Sequence, residues 1–225
     1  MLSRSEEDHI KAIHSLGQAN AKANTKDLAE KLGIKASSVT VMVQRLAEKG
    51  LAKYEPYYGV KLTSKGKVEA LKLVRKHRLW ETFLVEHLGF GWDEVHELAE
   101  QLEHVRSTEL TDRLAAFLGD PAFDPHGDPI PDRQGRLPDR RTEVLSECAP
   151  GAQVRMAAVK DGSDELYQLL DSKGISIGLS FTVAASQSFD GSMELTGKDG
   201  QCISLSAKVA GHLLVELAQT QERRN

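Results

Sequence analysis

The segment from Thr25 to Gly50 permits few folds. Thr25 can cap a short helix from Lys26 to Leu32, with Asp27 and Leu28 in its first turn and Gly33 stopping it. After the turn Gly33-Ile34-Lys35, a second helix is predicted from about Ala36 to Glu48, with Val39, Val43 and Leu46 facing inward and Gly50 terminating it. Two helices joined by so short a Gly-containing turn form a helix-turn-helix. Upstream, Ile10, Ile13 and Leu16 recur at three-residue steps behind Glu6, Glu7 and Asp8, which predicts a first helix with negative charge at its N-terminus and Gly17 at its end. Downstream, Leu51 to Thr63 reads as two short strands around Pro56-Tyr57-Tyr58-Gly59, a wing. The unit is a predicted winged helix; a plain helical bundle with a hairpin is the competing reading.

Charge supports a nucleic-acid partner for this unit. The net charge of -4 divides unevenly: residues 1–75 carry 14 Lys/Arg against 8 Asp/Glu, and the remainder 15 against 25. A basic head on an acidic body suggests an anion-binding surface, and nucleic acid is the commonest such anion. The second helix opens with Lys35, Ser37, Ser38 and Thr40, short polar groups that let the backbone approach a groove. With Ser5, Thr25, Lys26 and Gln44 they make up the predicted DNA-binding set. At 225 residues the chain has room for one large domain or two to three small ones, and no apolar run approaches the roughly 20 residues that span a bilayer. The charged start Ser3-Arg4-Ser5-Glu6-Glu7-Asp8 is unlike a signal peptide, so a cytoplasmic protein with no membrane partner is expected. Cys148 and Cys202 form neither a disulfide framework nor a metal knuckle and are expected to be small core or interface residues.

A long helix is predicted from Thr63 or Ser64 to about His87, ended by Gly89 and Gly91, with His77 and Glu81 one turn apart on it. The next, from about Trp92 or Asp93 to Val105, places His96, Glu100, Glu103 and His104 at steps of four, three and one. Residues so spaced share a face, so two imidazoles and two carboxylates form one patch with no soft ligand. The competing reading is a solvated face beside the apolar stripe Val95, Leu98, Leu102 and Val105. Ser107 looks like the cap of a further helix, Thr108 to Leu118, whose Leu110, Leu114, Phe117 and Leu118 could pack on neighbours or on a second subunit. From Gly119 to Pro138 lie five of the seven prolines, the composition of an irregular connector, and a boundary belongs near residues 140–150. Beyond it, four short strands (154–159, 180–184, 191–195 and 201–205), one helical stretch (163–172) and a closing segment (207–218) are predicted.

In order and spacing, a set of motifs resembles the diphtheria toxin repressor family of metal-dependent transcriptional repressors, including its manganese-sensing branch. They are Ser37-Ser38-Val39-Thr40 with Val43-Gln44-Arg45-Leu46, Leu62-Thr63-Ser64-Lys65-Gly66, Arg75-Lys76-His77-Arg78-Leu79, Glu103-His104-Val105 and Asp124-Pro125-His126-Gly127-Asp128-Pro129-Ile130-Pro131. The resemblance covers essentially the whole chain. It implies a mainly α protein with a small β domain: a winged helix-turn-helix (1–73), a helical metal-binding and dimerisation domain with a Pro-rich linker (74–140), and a C-terminal SH3-like barrel (146–225).

It further implies a primary metal site on Asp8, Glu100, Glu103 and His104 and an ancillary one on His77, Glu81 and His96, which divides the patch between two ions. His126 then belongs to a structural linker motif. Iron sensors of the family typically carry Met and Cys where this chain has Asp8 and Glu100, so the oxygen-rich set favours Mn2+ with Fe2+ as the alternative, while Co2+, Ni2+, Zn2+ or Cd2+ can bind such ligands in vitro. Lys11 departs from small manganese sensors, which carry a Glu ligand at that position. The C-terminal domain offers no clear Glu/Gln match for a ligand; Asp161, Asp164 and Glu165 are weak candidates. The implied function is a homodimeric repressor, joined through its middle domain, that binds a pseudo-palindromic double-stranded DNA operator when metal is bound and controls metal-uptake genes. Two competing readings are a winged-helix regulator that responds to an organic ligand with structural metal only, and a metal-dependent hydrolase. The latter has no HExxH, nucleophile elbow or phosphate loop to support it, and the expectation is that the chain is not an enzyme.

Overall fold

The computed structural model describes residues 2–19, 22–160 and 162–218. The chain divides into two compact units, each discontinuous in sequence: Met1–Trp80 with Ala99–Asp120 and Ile130–Leu137, and Glu81–Leu98 with Pro121–Pro129 and Pro138–Asn225.

The first unit begins with α1 (Arg4–Ala19), α2 (Thr25–Leu32), α3 (Ala36–Glu48), β1 (Ala52–Glu55) and β2 (Gly59–Leu62). A reciprocal capping box starts α1: the Glu6 amide donates to Ser3 Oγ at 3.3 Å and the Ser3 amide to Glu6 Oε2 at 2.9 Å. Gly17 does not end this helix, contrary to expectation; it lies inside α1. Asn24, not Thr25, caps α2, its Oδ1 accepting from the Asp27 amide at 2.8 Å. Gly33, at φ 63°, closes α2 in the left-handed conformation, with the Ile34 amide returning to the Ala29 carbonyl at 3.0 Å. α3 has the predicted bounds, and Val39, Val43 and Leu46 are buried with Ile10, Ile13, Leu28 and Val60 in one core. Each such side chain contributes about 1.5–3 kcal/mol on burial. β1 and β2 pair antiparallel from Ala52↔Leu62 to Glu55↔Gly59, forming the wing with Tyr57 fully exposed at its tip.

Glu6 ties α1 to the helix-turn-helix. Its buried carboxylate takes Lys49 Nζ at 2.6 Å and Arg45 Nε at 3.0 Å. Burial alone would raise its pKa, but the Lys49 hydrogen bond, the Ser3 amide and the charges of Lys49 and Arg45 hold it below the usual carboxylate value. A carboxylate whose pKa is lowered on folding stabilises the fold above its unfolded value and loses that contribution as the pH falls through the folded one. Glu6→Gln is therefore expected to cost about 1.5–3 kcal/mol at neutral pH. The deficit should begin to shrink once the pH falls below the unfolded carboxylate pKa of about 4.3, and it closes only as the pH passes through the lowered folded value. Thermal unfolding of the two proteins across pH checks both parts.

α4 (Ser64–Leu88) is the long helix expected. α5 runs only from Val95 to Leu102, shorter at both ends than the sequence reading, so Glu103 and His104 lie in the turn after it. α6 (Thr108–Phe117) is capped by Ser107, whose Oγ accepts from the Leu110 amide.

The second unit is built on a six-stranded antiparallel sheet of order β3-β8-β4-β5-β6-β7. Its strands are β3 (Glu143–Val144), β4 (Gln153–Val159), β5 (Ser180–Ser186), β6 (Met193–Gly197), β7 (Cys202–Leu205) and β8 (Leu213–Leu217), with α7 (Asp164–Ser172) and the short α8 (Ala207–Ala210) between them. The core includes Leu145, Val154, Met156, Leu170, Val183, Leu195 and Leu213. Cys148 is buried there as expected, whereas Cys202 is exposed. Within this unit the segment around Gly127 lies against β4: the Val159 amide donates to the His126 carbonyl at 3.0 Å. Arg140 stacks over the Phe123 ring at 4.3 Å and reaches Glu216 and the Ala157 carbonyl, each at 2.8 Å. Among the described residues no helix is long and apolar enough to cross a membrane.

Candidate metal centre

Asp8, on α1, meets Glu103 and His104 in the turn after α5, the ligand atoms of the three all lying within 4.8 Å of one another. His104 Nε2 stands 3.1 Å from Asp8 Oδ1 and 3.9 Å from Glu103 Oε1. His104 Nδ1 lies 2.7 Å from Glu7 Oε2, a contact best satisfied by an Nδ1–H donor, which puts the ring's lone pair on Nε2, toward Asp8 and Glu103. Glu7 was not picked out from sequence, because nothing in the run Glu6-Glu7-Asp8 says which carboxylate turns to which neighbour. Glu103 is 1% exposed. Burial alone would raise its pKa, but hydrogen bonds and charge from His77 and Lys11 hold it down. Burial raises the Asp8 pKa, and the charges of Glu103 and Glu100 add to this against His104 and Arg4. Glu100, the fourth predicted ligand, is outside the close trio and lies 3.6 Å from Lys11 Nζ.

His77 and Glu81 occupy successive turns of α4, both buried. His77 Nδ1 lies 2.6 Å from Glu103 Oε2. In the second unit, His96 Nδ1 stands 3.3 Å from Glu81 Oε1. A set not foreseen from sequence also appears there: Glu81, Asp124 and His126, all buried, bring ligand atoms within 4.8 Å of one another. Asp124 Oδ1 accepts from the amides of His126 and Asp128, each at 2.9 Å, and His126 Nε2 lies 3.1 Å from the Trp92 carbonyl, which calls for an Nε2–H and leaves the lone pair on Nδ1. His126, expected to be a structural linker residue, thus also stands in a group that could hold an ion. The short Asp124-Pro125-His126 spacing was the available signal. Asp161 lies outside the described residues, and Asp164 and Glu165 sit in the first turn of α7.

These donors fit a hard or borderline divalent ion. Two carboxylates and an imidazole oriented by a carboxylate suit Mn2+ or Fe2+, and the sets contain no thiolate. Glu7→Ala is expected to cost about 10–100-fold in metal affinity through the lost orientation of His104, without removing a ligand. Isothermal titration of the two proteins with Mn2+ measures this.

On the winged head, Ser5, Lys26, Lys35, Ser37, Ser38 and Gln44 are exposed, while Thr25 and Thr40 are half-buried. Thr40 Oγ1 donates to the Ala36 carbonyl at 3.0 Å, so its hydroxyl is partly spent within α3. Val41 on the same helix is 65% exposed, an apolar side chain of the kind that can meet a thymine methyl.

A winged helix whose first helix shares a carboxylate–imidazole cluster with the turn after α5 has the parts of a metal-responsive DNA-binding protein. The comparisons with known proteins agree. Residues 1–60 match the iron dependent repressor N-terminal DNA binding domain, residues 63–132 the iron dependent repressor metal binding and dimerisation domain, and residues 144–217 the FeoA domain. The chain is 30% identical to the diphtheria toxin repressor of Corynebacterium efficiens over 183 residues, covering 76% of this chain and 79% of that one. It is 32% identical to the iron-dependent repressor IdeR of Mycobacterium leprae over 70% of this chain and 66% of the relative. Among solved structures, a manganese-dependent transcriptional repressor in complex with manganese superposes with a TM-score of 0.83 at 36% identity, over 94% of this chain and 99% of the other. The chain belongs to the diphtheria toxin repressor family of metal-dependent transcriptional repressors.

Proposed function

We propose that this protein is a homodimeric repressor activated by Mn2+, with Fe2+ as the alternative ion, that binds a pseudo-palindromic operator and controls metal-uptake genes. The observation that carries the reading is the meeting of Asp8 with Glu103 and His104: one ligand sits on the first helix of the DNA-binding head, the others some ninety positions later in the turn after α5. A bound divalent ion supplies the positive charge that turns mutually repelling carboxylates into one set. Asp8 then ties α1 to that turn, Glu7 holds His104 in the ligating tautomer, and Glu100 is the proposed fourth ligand. This restrains the head and raises the fraction of molecules that present α3 to DNA.

Ser37, Ser38 and Gln44, with Lys35 at the start of α3, are proposed to contact the operator, and Ser5, Thr25, Lys26 and Thr40 complete that surface. Working boundaries are 1–73 for DNA binding, 74–140 for metal binding and dimerisation and 146–225 for the SH3-like domain. A second ion is proposed at Glu81, supported by the approach of His96 and by the buried partners Asp124 and His126; His77 is the remaining ligand implied by the family resemblance.

Titrating a selected DNA duplex with chelated protein and with protein loaded in turn with Mn2+, Fe2+ under anaerobic conditions, Co2+ and Zn2+ tests this reading. Strongest binding with Mn2+ is expected, with affinity falling as salt rises through phosphate contacts. Equal binding by the chelated protein would defeat it.

A further inference from the structure

Lys11 lies on α1 one turn beyond Asp8, with its side chain 19% exposed. Its Nζ stands 2.6 Å from Glu103 Oε2, 3.1 Å from His77 Nδ1 and 3.6 Å from Glu100 Oε1. His77 Nδ1 approaches the same Oε2 at 2.6 Å. That distance calls for an Nδ1–H donor, so one oxygen of Glu103 takes a hydrogen bond from an imidazole and another from an ammonium. The other oxygen, Oε1, is the one that faces His104 Nε2 at 3.9 Å. The two oxygens of this buried carboxylate are therefore assigned different duties by the fold.

We propose that Lys11 is a specificity-determining residue of the metal centre: by occupying Glu103 Oε2 it restricts Glu103 to ligation through Oε1 alone and so keeps calcium out. The inference rests on the primary site proposed above. A set of three carboxylates and one imidazole carries a general hazard, because oxygen-rich donors also suit Ca2+. What separates the ions is coordination number. Ca2+ collects 6–8 oxygens at about 2.3–2.6 Å and draws on two-oxygen carboxylates to reach that number, whereas a smaller ion is satisfied by fewer donors in stricter geometry. A carboxylate with one oxygen already tied by two donors cannot turn both toward an ion without breaking those bonds.

Charge points the same way. Asp8, Glu100 and Glu103 against Lys11 leave two negative charges, which one divalent ion neutralises. Without the ammonium the set would keep a negative charge after loading, and its carboxylates would be free to spread around a larger cation.

The test uses the full-length protein, Mn2+ and Ca2+, and two variants, Lys11→Met, which keeps length and removes charge, and Lys11→Arg, which keeps the charge. Free Mn2+ is read by electron paramagnetic resonance while Ca2+ is added to the Mn2+-loaded protein. Wild type and Lys11→Arg are expected to retain Mn2+, while in Lys11→Met the Ca2+ to Mn2+ ratio at half displacement should fall about tenfold or more, a difference of about 1.4 kcal/mol in relative affinity. A Lys11→Met protein that binds Mn2+ and gives the wild-type ratio would overturn the proposal, as would Lys11→Arg releasing Mn2+ as readily as Lys11→Met. A crystal structure of Mn2+-loaded wild type decides the matter even if the methionine variant does not fold: both Glu103 oxygens on the ion would contradict it. A wild type that holds no Mn2+ at Asp8, Glu103 and His104 would instead sink the primary-site reading itself.

Discussion

Asp8→Ala is expected to uncouple DNA binding from metal. The variant retains Glu103 and His104 but loses the one ligand that α1 contributes to the close trio. Its Mn2+ affinity at this site should fall by more than the roughly 10–100-fold typical of lost outer-shell support, since a ligand itself is gone. Operator binding should become indifferent to Mn2+ and settle near the level of chelated wild type, while weak sequence-independent binding and its salt dependence persist, because the phosphate-facing residues are untouched.

The apo proteins supply a second readout of opposite sign. Burial and the neighbouring Glu103 and Glu100 raise the pKa of Asp8, so its charged form is disfavoured in the folded state. A carboxylate raised on folding costs stability above its unfolded pKa, and that cost disappears as the pH falls below both values. Apo Asp8→Ala should therefore unfold at the same temperature as apo wild type or higher at neutral pH, and the loaded wild type should lie above both. Differential scanning calorimetry with and without Mn2+ reads all three. A variant that lost its metal response because it was simply less stable would show the reverse order.

Gly127→Ala is expected to be the most damaging small substitution in the second unit. Gly127 has φ 87°, and a Cβ there would stand 2.0 Å from the Ala157 carbonyl oxygen and 2.5 Å from Ala158 Cα, both backbone atoms of β4. Neither can give way as a flexible side chain could. Left-handed strain and overpacking each cost about 1–3 kcal/mol, so a loss of roughly 2–6 kcal/mol is expected, unless the segment lifts from β4. Lifting it would break the bond from the Val159 amide to the His126 carbonyl and displace Asp124 and His126 from Glu81. Calorimetry should show the lower-stability transition, and Mn2+ titration should lose the Glu81 site while Asp8, Glu103 and His104, which belong to the other unit, still bind. Unchanged stability and an unchanged number of ions bound would mean that this packing is wrong.

What the sequence disclosed follows from the range of the interactions involved. The helix-turn-helix was legible because its signals are local: the apolar spacing of Val39, Val43 and Leu46, and a glycine at Gly33 where the backbone must turn left-handed. Local signals also misled. Asn24 and Thr25 are both good caps, and only the extended conformation of Asn24 decides between them; Gly17 stays helical at a position where α1 has room for it. At the metal centre, helical spacing found His96, Glu100, Glu103 and His104 but pooled them, because it carried α5 through to Val105. With α5 ending at Leu102, Glu103 and His104 turn toward α1 while His96 faces Glu81. Resemblance, not spacing, brought Asp8 into the set. The partners of Lys11 and the grouping of Glu81 with Asp124 and His126 depend on contacts between residues tens of positions apart, and no periodicity encodes those.

An ion held by Asp8, Glu103 and His104 is proposed to make the winged head competent for DNA, and this role can be measured. It is tested most directly by selecting duplexes from a random library with Mn2+-loaded protein, then titrating the enriched duplex by fluorescence anisotropy with loaded and with chelated protein at one ionic strength. Binding tighter by about 100-fold or more is expected with Mn2+, as when a ligand moves a minor competent state to dominance. Equal affinity in the two conditions, at the same salt, would contradict it.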